Sequence, residues 1–345
     1  MPTTFTVYNC GTGYNRDKND IVARLNRDTQ SPHFITDGPG SGGFTPFKGH
    51  NPGGKSTLGG LIGGSGVDSN VDAGLDAVKQ AMRAGPIIVN MCGWSRGAVT
   101  CYKLANAMAA DPVTAGIKVN IFAVDPVPGG SALNNHMWRN IGASANIGIS
   151  AVVLAQHDRR SLFAPVYPTV EGPFTDVDIM PGDHSTIVEY KEGKAEAHEL
   201  VYDMAKRFLR ARGTQFADTS QLSAVDILRR YALIAEHFDD YAQFAKGVSG
   251  KPKDRFKEQR PIRNDQRQVV GQMLPFKPAF FLNEHHRETC RTLYPYTVSE
   301  IDLPMKLAFA SERRDKWMRE FDRMDAACIE QAKMLLFYIT ACGRA

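Results

Sequence analysis

Residues 93 to 97 read Gly-Trp-Ser-Arg-Gly, which places a serine between two glycines at the spacing G-x-S-x-G. The apolar run PIIVNMC (86–92) leads into this pentapeptide, and RGAVTCYKLANAMAA (96–110) leaves it with helical spacing. Between a strand and a helix, the two glycines allow close packing around a strained serine whose hydroxyl points outward. The pattern therefore predicts Ser95 as a nucleophile. The alternative is a tight strand-to-helix turn with an idle serine.

A nucleophilic serine needs a general base to take its proton, and in this arrangement the base follows the nucleophile and the acid along the chain. His184 lies in the loop MPGDHSTIV, beyond the last predicted strand and shortly before a long helix. We therefore expect His184 to be the base. His136 and His157 come earlier than this order favours, and they stay as alternatives.

The acid that orients the base has two main candidates. Asp125 ends the apolar run KVNIFAV and begins DPVPGG, a sharp turn at the edge of a sheet where ligands bind. Asp158 ends the next run, AVVLAQHD, which is the more usual position for the acid. An aspartate followed by proline is fixed in a turn, so Asp125 is slightly favoured and the other aspartate then braces loops. Asp183, beside the predicted base, is a weaker third choice.

The oxyanion that forms during attack needs two backbone N–H donors. One belongs to the residue after the nucleophile, Arg96, and the other to a loop after an earlier strand. The turn VYNCGTGYN offers Gly11, Thr12 and Gly13 directly after the first predicted strand. These residues are candidate donors because glycine lets the backbone approach a substrate closely. The alternative is a plain glycine turn.

The elements around these residues alternate between strands and helices over residues 1 to about 213. The sequence predicts strands at 5–9, 86–92, 118–124 and 149–156, and helices at 70–85, 96–110 and 194–213. This alternation is typical of a mostly parallel sheet covered by helices. We therefore predict an α/β domain over 1–216, followed by a helical C-terminal region over 217–345.

The C-terminal region differs from the rest because its sequence predicts amphipathic helices and no strands. Amphipathic helices are predicted at 223–245 and 311–341, and the stretch between them at 246–267 holds eight Lys or Arg against three Asp or Glu. Such a basic stretch is typical of a solvated linker, and the alternative is contact with an anionic surface.

A second motif, GHNPGGKST at 49–57, fits the phosphate-binding pattern G-x-x-x-x-G-K-[ST] through Gly49, Gly54, Lys55 and Ser56. That loop functions only when a buried strand precedes it and a helix begins at its end. The flanking sequences are rich in Gly and lack both elements. We expect an accidental match in a mobile surface loop; the rival interpretation is a nucleotide-binding protein that uses Lys55 and Ser56.

Composition narrows the class of protein. The chain has 345 residues, 43% of them hydrophobic, a net charge of +4 and six Cys. The charge is too small to argue for nucleic acid. No signal peptide or membrane-spanning run is apparent, no C-x-x-C pair occurs, and no metal-ligand spacing is found. We expect a protein made in the cytoplasm with reduced thiols and without a metal or cofactor.

Five segments together resemble the α/β-hydrolase phospholipases that bacteria deliver as effectors by contact-dependent, type VI-like secretion. They are GWSRGA (93–98), CGTGYN (10–15), VDPV (124–127), HDRRSLFAP (157–165) and PGDHSTI (181–187), in the family's order. The resemblance covers roughly residues 5–213. It implies an α/β-hydrolase fold, Ser95 as nucleophile, His184 as base, Asp125 or Asp158 as acid, and phospholipid esters as substrates. The chain departs from the family at Cys10, where Asp is usual, and at Trp94, where Phe is usual.

We therefore expect a serine ester hydrolase that acts on phospholipids through an acyl-enzyme. An esterase or thioesterase for a soluble or protein-acyl substrate is the enzymatic alternative, and a partner-binding scaffold with a silent hydrolase fold is the non-enzymatic one. The resemblance further implies export by a leaderless secretion system and an immunity or chaperone protein as partner. A transient membrane-surface contact through 246–267 fits the same interpretation.

Overall fold

A computed structural model describes most of the predicted α/β domain and short parts of the C-terminal region. The described residues are 2–41, 66–129, 141, 146–158, 164–166, 175–237, 240–241, 261–263, 267–272 and 308–309. The phosphate-loop-like stretch 49–57, His136 and the predicted helix at 311–341 lie outside them.

Six strands form one parallel sheet. They are β1 (Thr3–Asn9), β2 (His33–Thr36), β3 (Ile87–Trp94), β4 (Val119–Val124), β5 (Ile147–Ala155) and β6 (Thr175–Met180). Their order in the sheet is β2-β1-β3-β4-β5-β6, and every neighbouring pair is parallel. The predicted α/β fold with a mostly parallel sheet is confirmed.

Helices cover both faces of this sheet. They are α1 (Ile21–Asp28), α2 (Val67–Met82), α3 (Arg96–Ala110), α4 (Ala195–Ala211) and α5 (Ala224–Glu236). Successive strand residues point to opposite faces. Tyr8 and Cys92 therefore pack with α1, α4 and α5, while Val7 and Met91 pack with α2 and α3. Because both faces are covered, the strands are apolar runs rather than alternating ones.

Local sequence accounts for where two of the helices begin. Asp20 precedes α1, and its side chain accepts hydrogen bonds from the N–H groups of Val22 (3.0 Å) and Ala23 (3.3 Å), which would otherwise lack partners in a first helical turn. Ser223 and Asp226 form a reciprocal capping box at the start of α5. Both helices then present apolar residues to the same face of the sheet.

The C-terminal region contains both helix and strand among its described residues. The predicted helix at 223–245 is confirmed over α5. Three short strands, β7 (Pro261–Arg263), β8 (Val269–Gln272) and β9 (Ala308–Phe309), form a small antiparallel sheet that the sequence did not predict. None of the helices in the described ranges is long and apolar enough to cross a membrane.

Candidate active site

The strand order creates a crevice at the carboxyl edge of the sheet. From β1 the chain moves outward to β2, and it then returns to the other side of β1 to form β3. Ligands of open α/β sheets bind where the order reverses in this way, beyond the carboxyl ends of the strands. The turn after β1 begins at Cys10, and Ser95 follows β3 directly, so both flank this switch point.

Ser95 sits in the sharp turn between β3 and α3. Its φ of 57° and ψ of −128° fall in a region that L-residues seldom adopt. A Cβ on Gly93 would lie 2.5 Å from the carbonyl oxygen of Gly97, and a Cβ on Gly97 would lie 2.1 Å from that of Asn9. Both glycines are therefore required for helix α3 to lie this close to strands β3 and β1. The geometry is that of the nucleophile elbow which the pentapeptide predicts.

His184 and Asp125 come together at the same edge. Asp125 Oδ2 lies 2.5 Å from His184 Nδ1, and the exposed fractions of the two side chains are 0% and 4%. An ionised carboxylate can only accept, so Nδ1 carries the proton in this pair and Nε2 becomes the ring nitrogen that can accept one.

The backbone around Asp125 holds its carboxylate in place. Asp125 has a φ of 40°, and its N–H donates to the carbonyl oxygen of Val153 at 2.6 Å. Its second carboxylate oxygen, Oδ1, accepts from the N–H of Ala155 at 3.1 Å. The end of β5 therefore fixes the carboxylate that follows β4, and the left-handed φ turns that side chain toward His184.

Asp158 contacts the same histidine at a different point. Its Oδ2 accepts from the backbone N–H of His184 at 3.3 Å, and Asp158 is buried. The sequence left these two aspartates as alternatives for the acid. The structure brings both to His184, with Asp125 at the ring and Asp158 at the main chain.

Asp183, the third candidate acid, braces the loop instead. Its Oδ1 accepts from the N–H and hydroxyl of Ser185, each at 2.8 Å, and from the N–H of Thr186 at 2.9 Å. Burial opposes its ionisation, but Lys191 and these hydrogen bonds outweigh it and lower the pKa of Asp183. An ionised carboxylate with these partners stabilises the turn that carries His184.

His157, an alternative base, binds the same loop through its backbone and ring. Its N–H donates to the carbonyl oxygen of Gly182 at 2.9 Å, and its Nδ1 accepts from the N–H of Gly182 at 2.9 Å. These paired contacts join the end of β5 to the loop after β6. They fit a bracing residue better than a base.

The turn after β1 is pressed against the elbow. A Cβ on Gly11 would lie 2.4 Å from the indole ring of Trp94, so only glycine fits there. The N–H of Gly13 donates to the carbonyl oxygen of Pro39 at 2.9 Å, which removes it from the candidate oxyanion donors. Gly11 and Thr12 stay as candidates on this turn.

Arg96 opens helix α3, so its N–H belongs to the first turn, where such groups point out of the helix end. Its side chain is buried, and burial lowers the pKa of the guanidinium. A Cβ on Gly129 would lie 2.6 Å from its Nη2. The guanidinium therefore packs on the turn that follows Asp125, a contact that sequence patterns do not reveal.

Two aromatic residues at the site were not assigned a role by the sequence. The ring of Trp94 lies 5.2 Å from the ring of His184 and 4.8 Å from that of Tyr14, measured between centroids. Trp94 directly precedes Ser95, so His184, the predicted base, packs on the residue next to the predicted nucleophile. In the sequence, Trp94 is notable only because the family that the chain resembles usually has phenylalanine at this position.

No cofactor or metal position emerges from the described side chains. Among them, no group of three or more His, Cys, Asp or Glu is placed to hold a metal ion. Cys10, Cys92 and Cys101 are free buried thiols, and burial raises the pKa of each. These thiols therefore stay protonated near neutral pH and contribute apolar packing.

Comparison with known proteins adds little beyond the fold. No protein-family model and no curated protein matches the sequence. A crystal structure of an uncharacterized protein from Pseudomonas aeruginosa is 15% identical with a TM-score of 0.40, over 73% of this chain and 55% of that chain. This chain thus spans about half the length of that protein.

A second similar structure is the peroxisomal α/β-hydrolase Lpx1 from Saccharomyces cerevisiae. It is 11% identical with a TM-score of 0.33, over 72% of this chain and 87% of that chain. Both scores are too low to support a functional argument. The α/β assignment rests on the parallel sheet and its flanking helices, and the chemistry rests on the residues at the carboxyl edge.

Proposed function

We propose that the protein is a serine hydrolase that cleaves carboxylic esters through an acyl-enzyme, with phospholipids as its substrates. The observation that carries this proposal is the buried 2.5 Å contact between Asp125 and His184, at the sheet edge where Ser95 sits in elbow geometry. Ser95 is the proposed nucleophile, His184 the base and Asp125 the acid.

The proposed reaction begins when Ser95 Oγ attacks the ester carbonyl carbon. His184 Nε2 takes the hydroxyl proton as the Oγ–C bond forms, and the carbonyl oxygen becomes an oxyanion. The N–H of Arg96, together with that of Gly11 or Thr12, stabilises this charge. Collapse of the tetrahedral species breaks the bond to the leaving oxygen, which receives the proton from Nε2.

Water completes the proposed cycle. It gives its proton to His184 Nε2 and attacks the acyl carbon. The second tetrahedral species then breaks its bond to Ser95 Oγ, which takes that proton from Nε2, and a carboxylic acid is released. Asp125 keeps the proton on Nδ1 throughout, and it stabilises the imidazolium that forms twice in each cycle. Asp158 keeps its contact to the backbone of His184 and takes no part in proton transfer.

Three features of the sequence support phospholipid as the substrate. One is the resemblance carried by GWSRGA and the four segments that accompany it. The second is the basic stretch 246–267, which suits an anionic lipid surface. The third is the Gly-rich sequence over 38–66, a composition typical of a lid loop over a site.

The test is fatty acid release from mixed phospholipid vesicles, with a short-chain p-nitrophenyl ester in parallel. We expect Ser95→Ala to lower both activities by roughly a thousandfold or more. Ser220→Ala, which changes an exposed serine after α4, serves as the matched control and keeps them.

The two assays separate the possible results. Ester cleavage without lipid release would move the substrate to a soluble or protein-bound ester or thioester. If the wild-type protein neither cleaves an ester nor reacts with a fluorophosphonate probe, the proposal is wrong and a partner-binding scaffold takes its place.

A further inference from the structure

Trp94 contacts both the turn after β1, which offers the oxyanion donors, and the ring of His184. Its side chain is 3% exposed, one face of the indole lies against Gly11, and the ring of His184 packs on it at a tilt of 49°. The turn that offers oxyanion donors and the ring that accepts the proton therefore contact the same indole. Both are also placed relative to Ser95, which is the next residue.

Tyr14 closes this arrangement from the other side. Its N–H donates to the carbonyl oxygen of Gly11 at 3.0 Å, and its ring meets the ring of Trp94 nearly edge-on at 73°. Its hydroxyl donates to the carboxylate of Glu189, five residues beyond His184. Tyr14 therefore joins the oxyanion turn to the loop that carries the base.

Glu189 is itself fixed to that loop. Its N–H donates to the carbonyl oxygen of Ser185 at 2.9 Å, and the N–H of Ile21 donates to that of Val188 at 3.0 Å. The Tyr14 hydroxyl is therefore joined, through the Glu189 side chain, to a main-chain segment that is itself hydrogen-bonded. Gly11, Trp94 and Tyr14 thus contact one another, and they contact the turn after β6 at two points, His184 and Glu189.

We propose that Trp94 and Tyr14 are positioning residues that set the distance between the base His184 and the oxyanion turn. Neither touches the reacting atoms in this scheme, which rests on the proposed serine hydrolase function. Misplacing a catalytic group by 1 Å costs about 100-fold in rate, so an indole that separates base and donors acts strongly on kcat. The proposal assigns neither side chain a contact with substrate, so the expected effect on KM is small.

The experiment measures kcat and KM on a short-chain p-nitrophenyl ester and the rate of Ser95 labelling by a fluorophosphonate. We expect Trp94→Ala to lower kcat by about 100-fold with KM within about twofold. Trp94→Phe restores part of this loss because it keeps a ring in the gap. Tyr14→Phe, which removes only the hydroxyl, lowers kcat by about 5-fold by the same reasoning.

Phe208→Leu is the matched control. Phe208 is buried in the same core cluster and packs on Phe122 at 5.5 Å, away from the carboxyl edge. We expect this change to lower the unfolding midpoint as Trp94→Phe does and to leave kcat at the wild-type value. If kcat falls in the control as much as in Trp94→Phe, the effect is one of general stability and the proposal is wrong.

A second readout does not depend on activity. The ring protons of His184 lie in the ring current of Trp94, so Trp94→Leu changes their NMR chemical shifts while Phe208→Leu does not. Unchanged shifts in Trp94→Leu, or wild-type kcat and labelling in both Trp94→Ala and Trp94→Phe, overturn the positioning role alone. A wild-type protein that does not label at Ser95 overturns the hydrolase function, and the positioning role with it.

Discussion

The carboxylate of Asp125 reaches Nδ1 of His184 across the end of an intervening strand. Asp125 follows β4 and His184 lies beyond β6, with β5 between them in the sheet. The contact is possible because the left-handed φ of Asp125 turns its side chain sideways and the N–H of Ala155 on β5 holds it there. The carboxylate at the ring thus comes from one strand earlier than Asp158.

This relationship predicts different results for the two aspartates. Asp125→Asn removes the acceptor that keeps the proton on Nδ1, so we expect kcat/KM for a p-nitrophenyl ester to fall by about 10⁴-fold. In Asp158→Asn an amide oxygen can still accept the backbone N–H of His184, so the fall is within about tenfold.

The control for this pair is Asp158→Ala, which removes the contact to the backbone N–H of His184. We expect its kcat/KM to lie between those of the two asparagine variants. Thermal unfolding of all three variants separates loss of activity from loss of fold. A larger fall for Asp158→Asn than for Asp125→Asn would assign the acid to Asp158.

The strained backbone at Ser95 predicts that replacing this residue with glycine raises the stability of the fold while it removes activity. Residues held in such sparsely populated regions cost about 1 to 3 kcal/mol, and glycine adopts them without a Cβ clash. We expect Ser95→Gly to raise the free energy of unfolding by about 1 kcal/mol, after the larger entropy of glycine in the unfolded chain is subtracted. Urea denaturation measures it.

Ser95→Ala is the matched variant for this prediction. It removes the same hydroxyl and keeps the Cβ, so it abolishes activity without the gain in stability. Equal unfolding free energies for the glycine and alanine variants would contradict this prediction, because the strain at Ser95 would then be no larger than the entropy term of glycine.

Much of the fold could be predicted because the deciding signals are local. The helix predicted at 96–110 begins and ends where α3 does, and the apolar runs at 118–124 and 149–156 match β4 and β5 within two residues. Continuous apolar runs bounded by turns are the pattern of strands covered on both faces. The strand-to-helix turn at Ser95 could be predicted by the same means, since the elbow is a local motif.

Other elements depend on tertiary contacts that a sequence pattern does not contain. Strand β2 has four residues, HFIT, and is a strand because it pairs with β1 from Thr6 to Asn9. Helix α1 has only eight residues and is stabilised by its cap at Asp20 and by packing on the sheet.

The choice between Asp125 and Asp158 was open for a related reason. Both follow strands at one edge, and the contacts that distinguish them, Asp125 at the ring and Asp158 at the main chain of His184, exist only in the folded chain. The roles of Trp94 and Tyr14 depend likewise on three segments that meet only in the folded chain.

The buried carboxyl of Asp20 contributes to the free energy of unfolding, and we expect this contribution to fall as the pH rises. Burial raises the pKa of Asp20 from 3.8 to about 6, against the cap hydrogen bonds from Val22 and Ala23, and Glu189 adds to the rise. The folded chain therefore binds this proton more tightly than the unfolded chain. The resulting stability is fully present below about pH 4 and is lost as the pH rises through about 6.

Asp20→Asn tests this, because asparagine keeps the cap and carries no charge. We expect the variant to match the wild type near pH 4 and to exceed its unfolding free energy by about 2 to 3 kcal/mol at pH 8. Urea denaturation at both pH values measures the difference. A difference that does not change with pH would show that the Asp20 carboxyl is not responsible.

His198 predicts the opposite dependence in an overlapping range of pH. Burial first, and then the neighbouring Arg24, lower the pKa of His198 from 6.5 to about 4, and Arg24 Nη1 lies 2.7 Å from its Nε2. The unfolded chain takes up this proton near pH 6.5 and the folded chain only near pH 4. Stability from neutral His198 is therefore present above about 6.5 and is lost as the pH falls toward 4.

His198→Gln removes this titration and keeps an acceptor for Arg24. Between pH 7.5 and 4.5 we expect the unfolding free energy of the wild type to fall by about 2 to 3 kcal/mol relative to this variant, measured by urea denaturation at each pH. Arg24→Gln removes the facing cation and makes the fall smaller. The Asp20 carboxyl adds stability as the pH falls over the same range, so in Asp20→Asn the acid-induced fall in unfolding free energy is steeper than in the wild type. If His198→Gln, Arg24→Gln and Asp20→Asn all give the same dependence of unfolding free energy on pH, neither His198 nor Asp20 is its source.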